Sequence, residues 1–464
     1  MQSNNNSLTK KIIVVLIVLV IGVGIYFGIK FYQSSKNVDI GANQNTDKGT
    51  TPFQTRTATS GEVVVVGDRP NTPGTATNPS PVVNLPMAKP RLVQLWKEPV
   101  SGFDFVYKDR EIVSTSTATT TIKVATTTTV GTTTATTTIN VATTSIVFKS
   151  IILKNQTYVY LWDRATGNIH QNLASTTEVE RLSNYTLPRI EEAYFIDPLT
   201  VLVRGLDESN ESVRTTYLQL IKETSTSTLF TAKAKNIPVI SKVISLSNET
   251  KKMFYFIEKT GQGIVSNLDI SSFIRVINTS LTQLLPQYVN KTLLAATTRP
   301  SAYFPGYLFF INSGGTGSNE YILGEKYGFT TLVSPDGKKV LYSEIKNDLL
   351  QTAIYDVASK TTVFLDQSTI TEKCVWTSDS KQIYCAIPQK LVLAPYPDQW
   401  YQGLTAFSDN IWSVNPSTGE FAVVVPLQDQ LSNPVDAFNL KISADKKYLL
   451  FQDKYSLTLW KYDL

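Results

Sequence analysis

Few residues of this chain belong to the types that carry out enzymatic chemistry. His170 is the only histidine, and metal sites built from imidazoles need more than one such ligand. No G-x-S-x-G sequence occurs, so the usual signal for a hydrolase nucleophile is absent from the sequence. We therefore predict no metal and no cofactor, and we assign no catalytic residue.

The two cysteines, Cys374 and Cys385, lie on either side of one short turn sequence. With Asp379 and Ser380 at the tip of a two-residue hairpin, the cysteines fall directly opposite each other. Opposed strand residues have Cβ atoms about 4.5–5.5 Å apart, which allows a bridge after slight adjustment. We predict a disulfide bond, which an oxidising extracytoplasmic space would preserve. The alternative is two buried free thiols.

Three aspartates recur in similar turn sequences: Asp336 in SPDGKK, Asp379 in TSDSKQ and Asp445 in SADKKY. An aspartate in such a turn accepts hydrogen bonds from nearby backbone amides. We therefore assign these carboxylates a structural role and no acid–base chemistry.

These turns belong to a repeated unit, most clearly seen in residues 329–365. The unit reads as four strands, with alternating apolar residues around each turn. From the second copy to the sixth, the first turns lie about 42 to 52 residues apart, which matches one four-stranded propeller blade; the two larger gaps contain insertions. The sequence therefore predicts an all-β fold, a seven-bladed β-propeller over residues 91–464 with antiparallel blades. Residues 91–96 should add a fourth strand to the last blade and so close the ring.

The segment SPDGKKVLYSE, followed by AIYDVASKTTVFL, resembles the WD40-like PD40 repeat of TolB-type propellers. The order PGYLFFI, TTLVSPDGKKVLYSE, YPDQWYQG and SDNIW also resembles a group of uncharacterised, membrane-anchored bacterial propeller proteins. The resemblance implies a propeller that works by binding envelope proteins. It names no particular partner.

An uncharged apolar run occupies residues 12–29. Eighteen helical residues extend about 27 Å, close to the thickness of the bilayer core. Because Lys10 and Lys11 precede the run, we expect the amino terminus to lie inside. The alternative is a cleavable signal peptide. We predict a cytoplasmic tail (1–11), a transmembrane signal anchor (12–31) and an extracytoplasmic propeller on the cytoplasmic membrane.

Three further features of the sequence bear on partners and domain boundaries. Gly24 and Gly28 form one GxxxG spacing, which permits a weak homodimer through the helix. Residues 32–90 are rich in Ser, Thr, Asn, Gly and Pro, which predicts a disordered linker. Residues 114–145 are more than half threonine, and we interpret them as a surface insert in the first blade. The net charge of +5 includes no basic run, which argues against nucleic-acid binding.

A second insertion, residues 388–409, carries Tyr396, Trp400, Tyr401 and Phe407 among prolines and a glycine. Aromatic residues are enriched at interfaces, so we predict that these four bind the partner. The alternative is that they plug the channel mouth or pack on the sixth blade. The sequence thus favours a non-catalytic platform for an envelope protein or polymer. Two other functions stay open: a propeller hydrolase or lyase with its site at the central channel, and a transmembrane sensor or assembly scaffold.

Overall fold

The computed structural model describes residues 91–464 except for short gaps at 208–211, 225–226, 239–240, 258, 282 and 318. The described chain is built from antiparallel strands β1 to β27, with short helical turns at Thr371–Lys373, Asp398–Tyr401 and Leu427–Gln430. The predicted tail (1–11), anchor (12–31) and linker (32–90) lie outside the described residues. Within the described part, no helix is long and apolar enough to cross a membrane.

Each sheet follows the chain through four successive strands, apart from the two cases described below. The first strand, which pairs with the end of the chain, is β1 (Leu92–Trp96). The next sheet comprises β2 (Val100–Val130), β3 (Thr133–Asp163), β4 (Ile169–Leu173) and β5 (Val179–Arg181). It is followed by β6 (Ile190–Asp197), β7 (Thr200–Leu206), β8 (Val213–Ile221) and β9 (Thr231–Ile237). The following sheet comprises β10 (Ile244–Ser247), β11 (Lys252–Ile257), β12 (Gln262–Asn267) and β13 (Phe273–Asn278).

The second half of the chain continues in the same way. A seven-stranded sheet comprises β14 (Leu284–Tyr288), β15 (Leu293–Thr298), β16 (Gly306–Asn312), β17 (Glu320–Val333), β18 (Lys339–Lys346), β19 (Leu349–Asp356) and β20 (Thr361–Phe364). It is followed by β21 (Cys374–Trp376), β22 (Ile383–Pro388), β23 (Asp409–Val414) and β24 (Phe421–Val425). The last strands are β25 (Ala437–Ile442), β26 (Tyr448–Asp453) and β27 (Leu459–Asp463).

The two ends of the described chain meet in one sheet. Strand β1 pairs antiparallel with β27, with Leu92 opposite Tyr462 and Val93 opposite Lys461. The order of this sheet is β1-β27-β26-β25. The prediction that the N-terminal strand completes the last blade is therefore confirmed, and this pairing covers an edge of β27 that would otherwise be open.

Buried hydrophobic clusters join the sheets into a closed ring. Six clusters lie between successive sheets, and the last of them returns to the first sheet. Pairs that represent these six contacts in ring order are Tyr160 with Phe195, Leu202 with Met253, Phe254 with Leu294, Leu341 with Cys385, Ile411 with Phe451, and Leu459 with Val159. Face-to-face packing of antiparallel sheets around a ring is the architecture of a β-propeller.

The number of separate sheets differs from the prediction. Among the described residues, five sheets are four-stranded and one is seven-stranded, so seven separate blades are not present. The physical reason is that β17 runs without interruption from Glu320 to Val333. Its first half pairs with β16 and its second half pairs with β18, which joins two predicted units through one strand.

The Thr-rich insert lies within a long two-stranded ribbon. Strands β2 and β3 are paired from Val100 and Asp163 to Val130 and Thr133. Strand β4 pairs with β3 only between Tyr158 and Trp162. At about 3.3 Å per residue, the ribbon beyond position 110 extends roughly 65–70 Å. The predicted surface insert at 114–145 is thus the outer part of a β-hairpin that begins inside the first sheet.

Candidate functional site

The insertion at residues 388–409 joins β22 to β23 and contacts several sheets. Its helix Asp398–Tyr401 begins with Asp398, whose carboxylate accepts hydrogen bonds from Ser301 Oγ (3.2 Å) and the Ala302 amide (2.7 Å). The backbone carbonyl of Trp400 accepts a hydrogen bond from Lys454 Nζ. The insertion is therefore fastened to loops on both sides of its own sheet.

Three of the four predicted binding aromatics are buried. Tyr396, Trp400 and Phe407 are only 2, 4 and 4% exposed, and they pack with Leu350 and Ile370 in one hydrophobic cluster. These three rings therefore offer little surface to a partner, because the insertion folds back onto the propeller. Packing, the alternative interpretation, describes them. Tyr401 differs, with 40% of its surface exposed.

A buried ion pair network lies beneath the insertion. Lys373 Nζ lies 2.7 Å from Asp409 Oδ2 and also contacts Asp436 Oδ1, and all three side chains are fully buried. The ammonium group faces the rings of Trp400 (5.6 Å) and Phe407 (4.9 Å). Burial raises the pKa of Asp409 to about 7, although Lys373 acts in the opposite direction. Burying charges is costly unless they are paired and hydrogen-bonded, which this network achieves for the ammonium group.

Asp436 connects this network to the insertion. Its Oδ2 accepts hydrogen bonds from Trp400 Nε1 (2.9 Å) and from the amide of Phe407 (3.1 Å). Asp409 Oδ2 accepts one from the Ala437 amide (2.7 Å). These bonds hold the insertion in one position over the ring.

Glu372 and Tyr401 meet at the inner side of the insertion. The Tyr401 hydroxyl donates a hydrogen bond to Glu372 Oε1. Although the ring of Tyr401 is partly exposed, desolvation of its hydroxyl raises the pKa well above its ordinary value, and the nearby Glu372 charge acts in the same direction, so the hydroxyl keeps its proton. Oε2 of Glu372 is buried and accepts no hydrogen bond.

An open cavity of about 730 Å³ lies in the channel between the first strands of the sheets. Residues from β14, β17, β21 and β25 line it, with Glu372 at the end where these strands begin and Pro335 at the opposite end. The cavity is therefore a part of the central channel.

A set of large apolar side chains is exposed around the insertion. We call this set the loop-face patch: Tyr303, Phe304, Leu349, Leu393, Leu404 and Tyr455, each 57 to 72% exposed. Leu393 and Leu404 belong to the insertion itself. Each of the other four lies within two positions of a residue that contacts the insertion. Those contacting residues are Ala302, Leu350 and Lys454.

Cys374 and Cys385 are directly paired across the hairpin and are joined by a disulfide bond with a Cα–Cα distance of 4.1 Å. Asp336 and Asp379 occupy turns in which they accept hydrogen bonds from Ser334 Oγ (2.6 Å) and Thr377 Oγ1 (2.7 Å), respectively. Asp445 accepts one from Ser443 Oγ (2.6 Å). These carboxylates serve the turns, as the sequence predicted.

His170 lies in β4 against Trp96, with ring centroids 4.5 Å apart. Burial lowers the pKa of His170. Among the described residues, no group of three or more His, Cys, Asp or Glu side chains is arranged to hold a metal ion.

The sequence prediction missed the residues that hold the insertion in place. Lys373, Asp409 and Asp436 come from three separate segments, and no local pattern relates them. A weak signal existed, because each polar residue directly precedes or begins a strand with buried apolar residues: β21, β23 or β25.

The site is built on antiparallel sheets that pack face to face in a closed ring. The described chain is a β-propeller. Similar solved structures include TolB from Acinetobacter baumannii, with 10% identity, a TM-score of 0.36, and coverage of 67% of this chain and 77% of that chain. They also include a protein described as "putative TolB" from Agrobacterium tumefaciens, with 14% identity, a TM-score of 0.33, and coverage of 47% of this chain and 73% of that chain. An oligogalacturonate lyase from Vibrio parahaemolyticus matches at 10% identity with a TM-score of 0.44, covering 66% of this chain and 86% of the lyase.

No protein-family model matches this propeller. No curated protein matches its sequence either. At these identities and TM-scores, the similar structures assign no function to this propeller.

Proposed function

We propose that this propeller is a non-catalytic platform that binds a protein partner through the loop-face patch. The observation that carries the proposal is the exposure of six large apolar side chains around one rigidly held insertion. Single exposed apolar residues are ordinary, whereas a set gathered on one face is typical of an interaction surface. Because these side chains offer apolar area and few polar groups, a protein partner suits them better than a polysaccharide.

The position of the patch supports this proposal. In an antiparallel sheet, all loops that join second to third strands emerge on the same side of the ring. Phe304, Leu404 and Tyr455 lie in such loops of three different sheets. The hydrogen bonds of Asp398 and Lys454 hold these loops together, so the surface is ordered before a partner arrives. A preorganised surface loses less entropy on binding.

The proposal is tested by capture of partners from membranes with the full-length chain and a crosslinker. The variant Phe304→Ser combined with Leu404→Ser should reduce recovery of a stoichiometric partner at least tenfold. The matched control is Phe273→Ser, because Phe273 is also a strongly exposed phenylalanine (65%) but lies in β13, outside the patch. Both variants alter exposed side chains, so their thermal midpoints should stay close to that of the wild type. Equal partner recovery from the patch variant and the control would contradict the proposal.

We further propose that the propeller is extracytoplasmic and is held at the membrane by residues 12–31. The disulfide bond supports this location, because such bonds persist in oxidising compartments and are rare in the cytosol. Single cysteines placed at Ser3 and Ser60 test the topology in intact cells. A membrane-impermeant maleimide should label the Ser60→Cys protein and leave the Ser3→Cys protein unlabelled until the cells are permeabilised. The opposite labelling would reverse the topology.

Finally, we propose that the seven-stranded sheet serves as two blades, which gives seven blades in the ring. Leu308 and Phe310 from one half of this sheet pack in one buried cluster with Val340 and Tyr342 from the other half. This contact supports two halves that face each other and meet at β17, where Gly328 has a positive φ of 62°. An experimental structure that shows the halves side by side in one plane would contradict this count.

A further inference from the structure

The channel cavity has features that the loop-face patch does not explain. It is bounded by the first strands of the ring and has a volume of about 730 Å³, which is within the range of small-molecule sites. Its walls are mainly apolar, with Leu332, Val333, Val375 and Trp376 among them. A mainly apolar cavity with a few placed polar groups is the usual form of a ligand site.

The polar group at one end of the cavity is Glu372. Its Oε1 accepts the hydrogen bond from Tyr401, whereas its Oε2 is buried without a hydrogen-bond partner. An unsatisfied buried acceptor costs roughly 1–3 kcal/mol, and each such group in a native protein needs an explanation. Burial raises the pKa of Glu372, and hydrogen bonds to its carboxylate from Tyr401, Thr330 and Thr371 offset this only in part. The carboxylate would therefore gain from a donor supplied by a ligand.

The cavity wall also contains a local backbone irregularity. Strand β25 changes register between Phe438 and Lys441, and Asn439 within this bulge has a left-handed φ of 51°. All three residues line the cavity. Bulges and residues held at unusual backbone angles are frequent at functional sites. On the side of the channel opposite β14 and β17, the cavity wall is therefore formed by an irregular part of β25.

Among the described residues that line the cavity, Lys441 is the one basic residue, and its ammonium group is already paired elsewhere. Lys441 Nζ lies 3.3 Å from Asp104 Oδ2, on the neighbouring first strand β2. Lys373 points into the separate network with Asp409 and Asp436.

We propose that the channel cavity binds a ligand that carries an ammonium or guanidinium group on an apolar stem, with the cation against Oε2 of Glu372. A cationic donor forms a stronger hydrogen bond with a carboxylate than a neutral donor does. It also stabilises the ionised form of Glu372, which burial disfavours. The apolar walls accept the stem, and Trp376 lies close enough to the bound molecule to report on it. This proposal is independent of the loop-face patch.

The test compares two water-soluble probes that differ mainly in charge, titrated into the full-length chain in detergent. Nα-acetyl-lysine methyl ester, which keeps its side-chain ammonium group, should bind at least tenfold more tightly than Nα-acetyl-norleucine methyl ester. In the variant Glu372→Gln, the affinity for the lysine probe should fall to about that for the norleucine probe. The matched control is Glu420→Gln, because Glu420 lies in the turn before β24 and accepts a hydrogen bond from Thr418, away from the cavity.

A second measurement locates the site without altering Glu372. The lysine probe should change the tryptophan fluorescence of the wild-type chain, and this change should disappear in Trp376→Phe. Equal affinity for the two probes would overturn the proposal, as would a preference that survives in Glu372→Gln. A fluorescence change that persists in Trp376→Phe would place the bound probe outside this cavity and would also overturn it.

Discussion

Lys373 Nζ lies 2.7 Å from Asp409 Oδ2, and neither side chain is exposed to solvent. The two residues stand 36 positions apart, and between them lies the whole insertion that covers the pair. Together with Asp436, they place a charged network under Trp400 and Phe407. The network thus links the insertion to the starts of the first strands β21 and β25, which Lys373 and Asp436 directly precede.

Replacing Lys373 by Met should destabilise the propeller by about 3–5 kcal/mol, because Asp409 and Asp436 would remain buried without a counter-charge. Denaturant unfolding followed by circular dichroism measures the change. The matched control is Lys447→Met, since the Lys447 side chain is 71% exposed. A loss of less than about 1 kcal/mol in Lys373→Met would mean that the network is not buried as described.

Asp409 should make stability depend on pH. Its pKa is raised by burial to about 7 in the folded state, above that of an unfolded chain. The stability that a protonated Asp409 contributes is therefore fully present below about pH 4 and is lost as the pH rises through about 7. Between pH 5 and 8 the wild type should lose more stability than Asp409→Asn. The pKa of Glu372 is also raised by burial, so Glu372 contributes a pH dependence of the same sign. Asp409→Asn should therefore reduce the pH dependence of stability without abolishing it.

The control for this pH series is Asp348→Asn, an exposed turn residue that should keep the wild-type dependence. If Asp409→Asn shows the same loss of stability between pH 5 and 8 as the wild type, Asp409 is not the group responsible.

Trp400 and Tyr401 should respond differently to replacement by Ala. Trp400 is buried and donates to Asp436, so Trp400→Ala should cost about 3–5 kcal/mol of stability. Tyr401 is 40% exposed, so Tyr401→Ala should cost clearly less. Thermal and denaturant unfolding of the two variants gives the comparison. Similar small losses would show that the insertion is held loosely.

Replacing both Cys374 and Cys385 by Ser should lower stability by about 2–3 kcal/mol, because the bridge closes a short loop in the unfolded chain. A reductant should lower the stability of the wild type to a similar level and leave the variant unchanged. If the reductant has no effect on unreduced wild-type protein, and both of its cysteines are alkylated before reduction, no bridge exists in the purified chain.

Deletion of residues 91–96 should cost far more stability than deletion of residues 40–85, because β1 pairs with β27 and buries Leu95 against Leu459. The thermal midpoints of the two deletion variants measure the difference. Equal midpoints would show that β1 does not help to close the ring.

The local pattern of residues was enough to predict the strands, the turns and the ring closure. Alternation of apolar residues around turns such as that of Asp379 defines hairpins over a dozen residues, so the residue numbering alone places Cys374 opposite Cys385. The repeat period implied sheets packed in a ring because one blade cannot bury both of its faces.

The tertiary structure decided which side chains are buried, and therefore which of them can meet a partner. Tyr401 reaches Glu372 across 29 positions, and Lys373 reaches Asp436 across 63. Aromatic content alone could not separate buried Trp400 from exposed Phe304, because the two depend on how the insertion folds over neighbouring sheets. The continuity of β17 likewise depends on hydrogen bonds to strands on both sides. Such contacts follow from the closed ring as a whole, since only its closure brings distant segments within a few ångströms of each other.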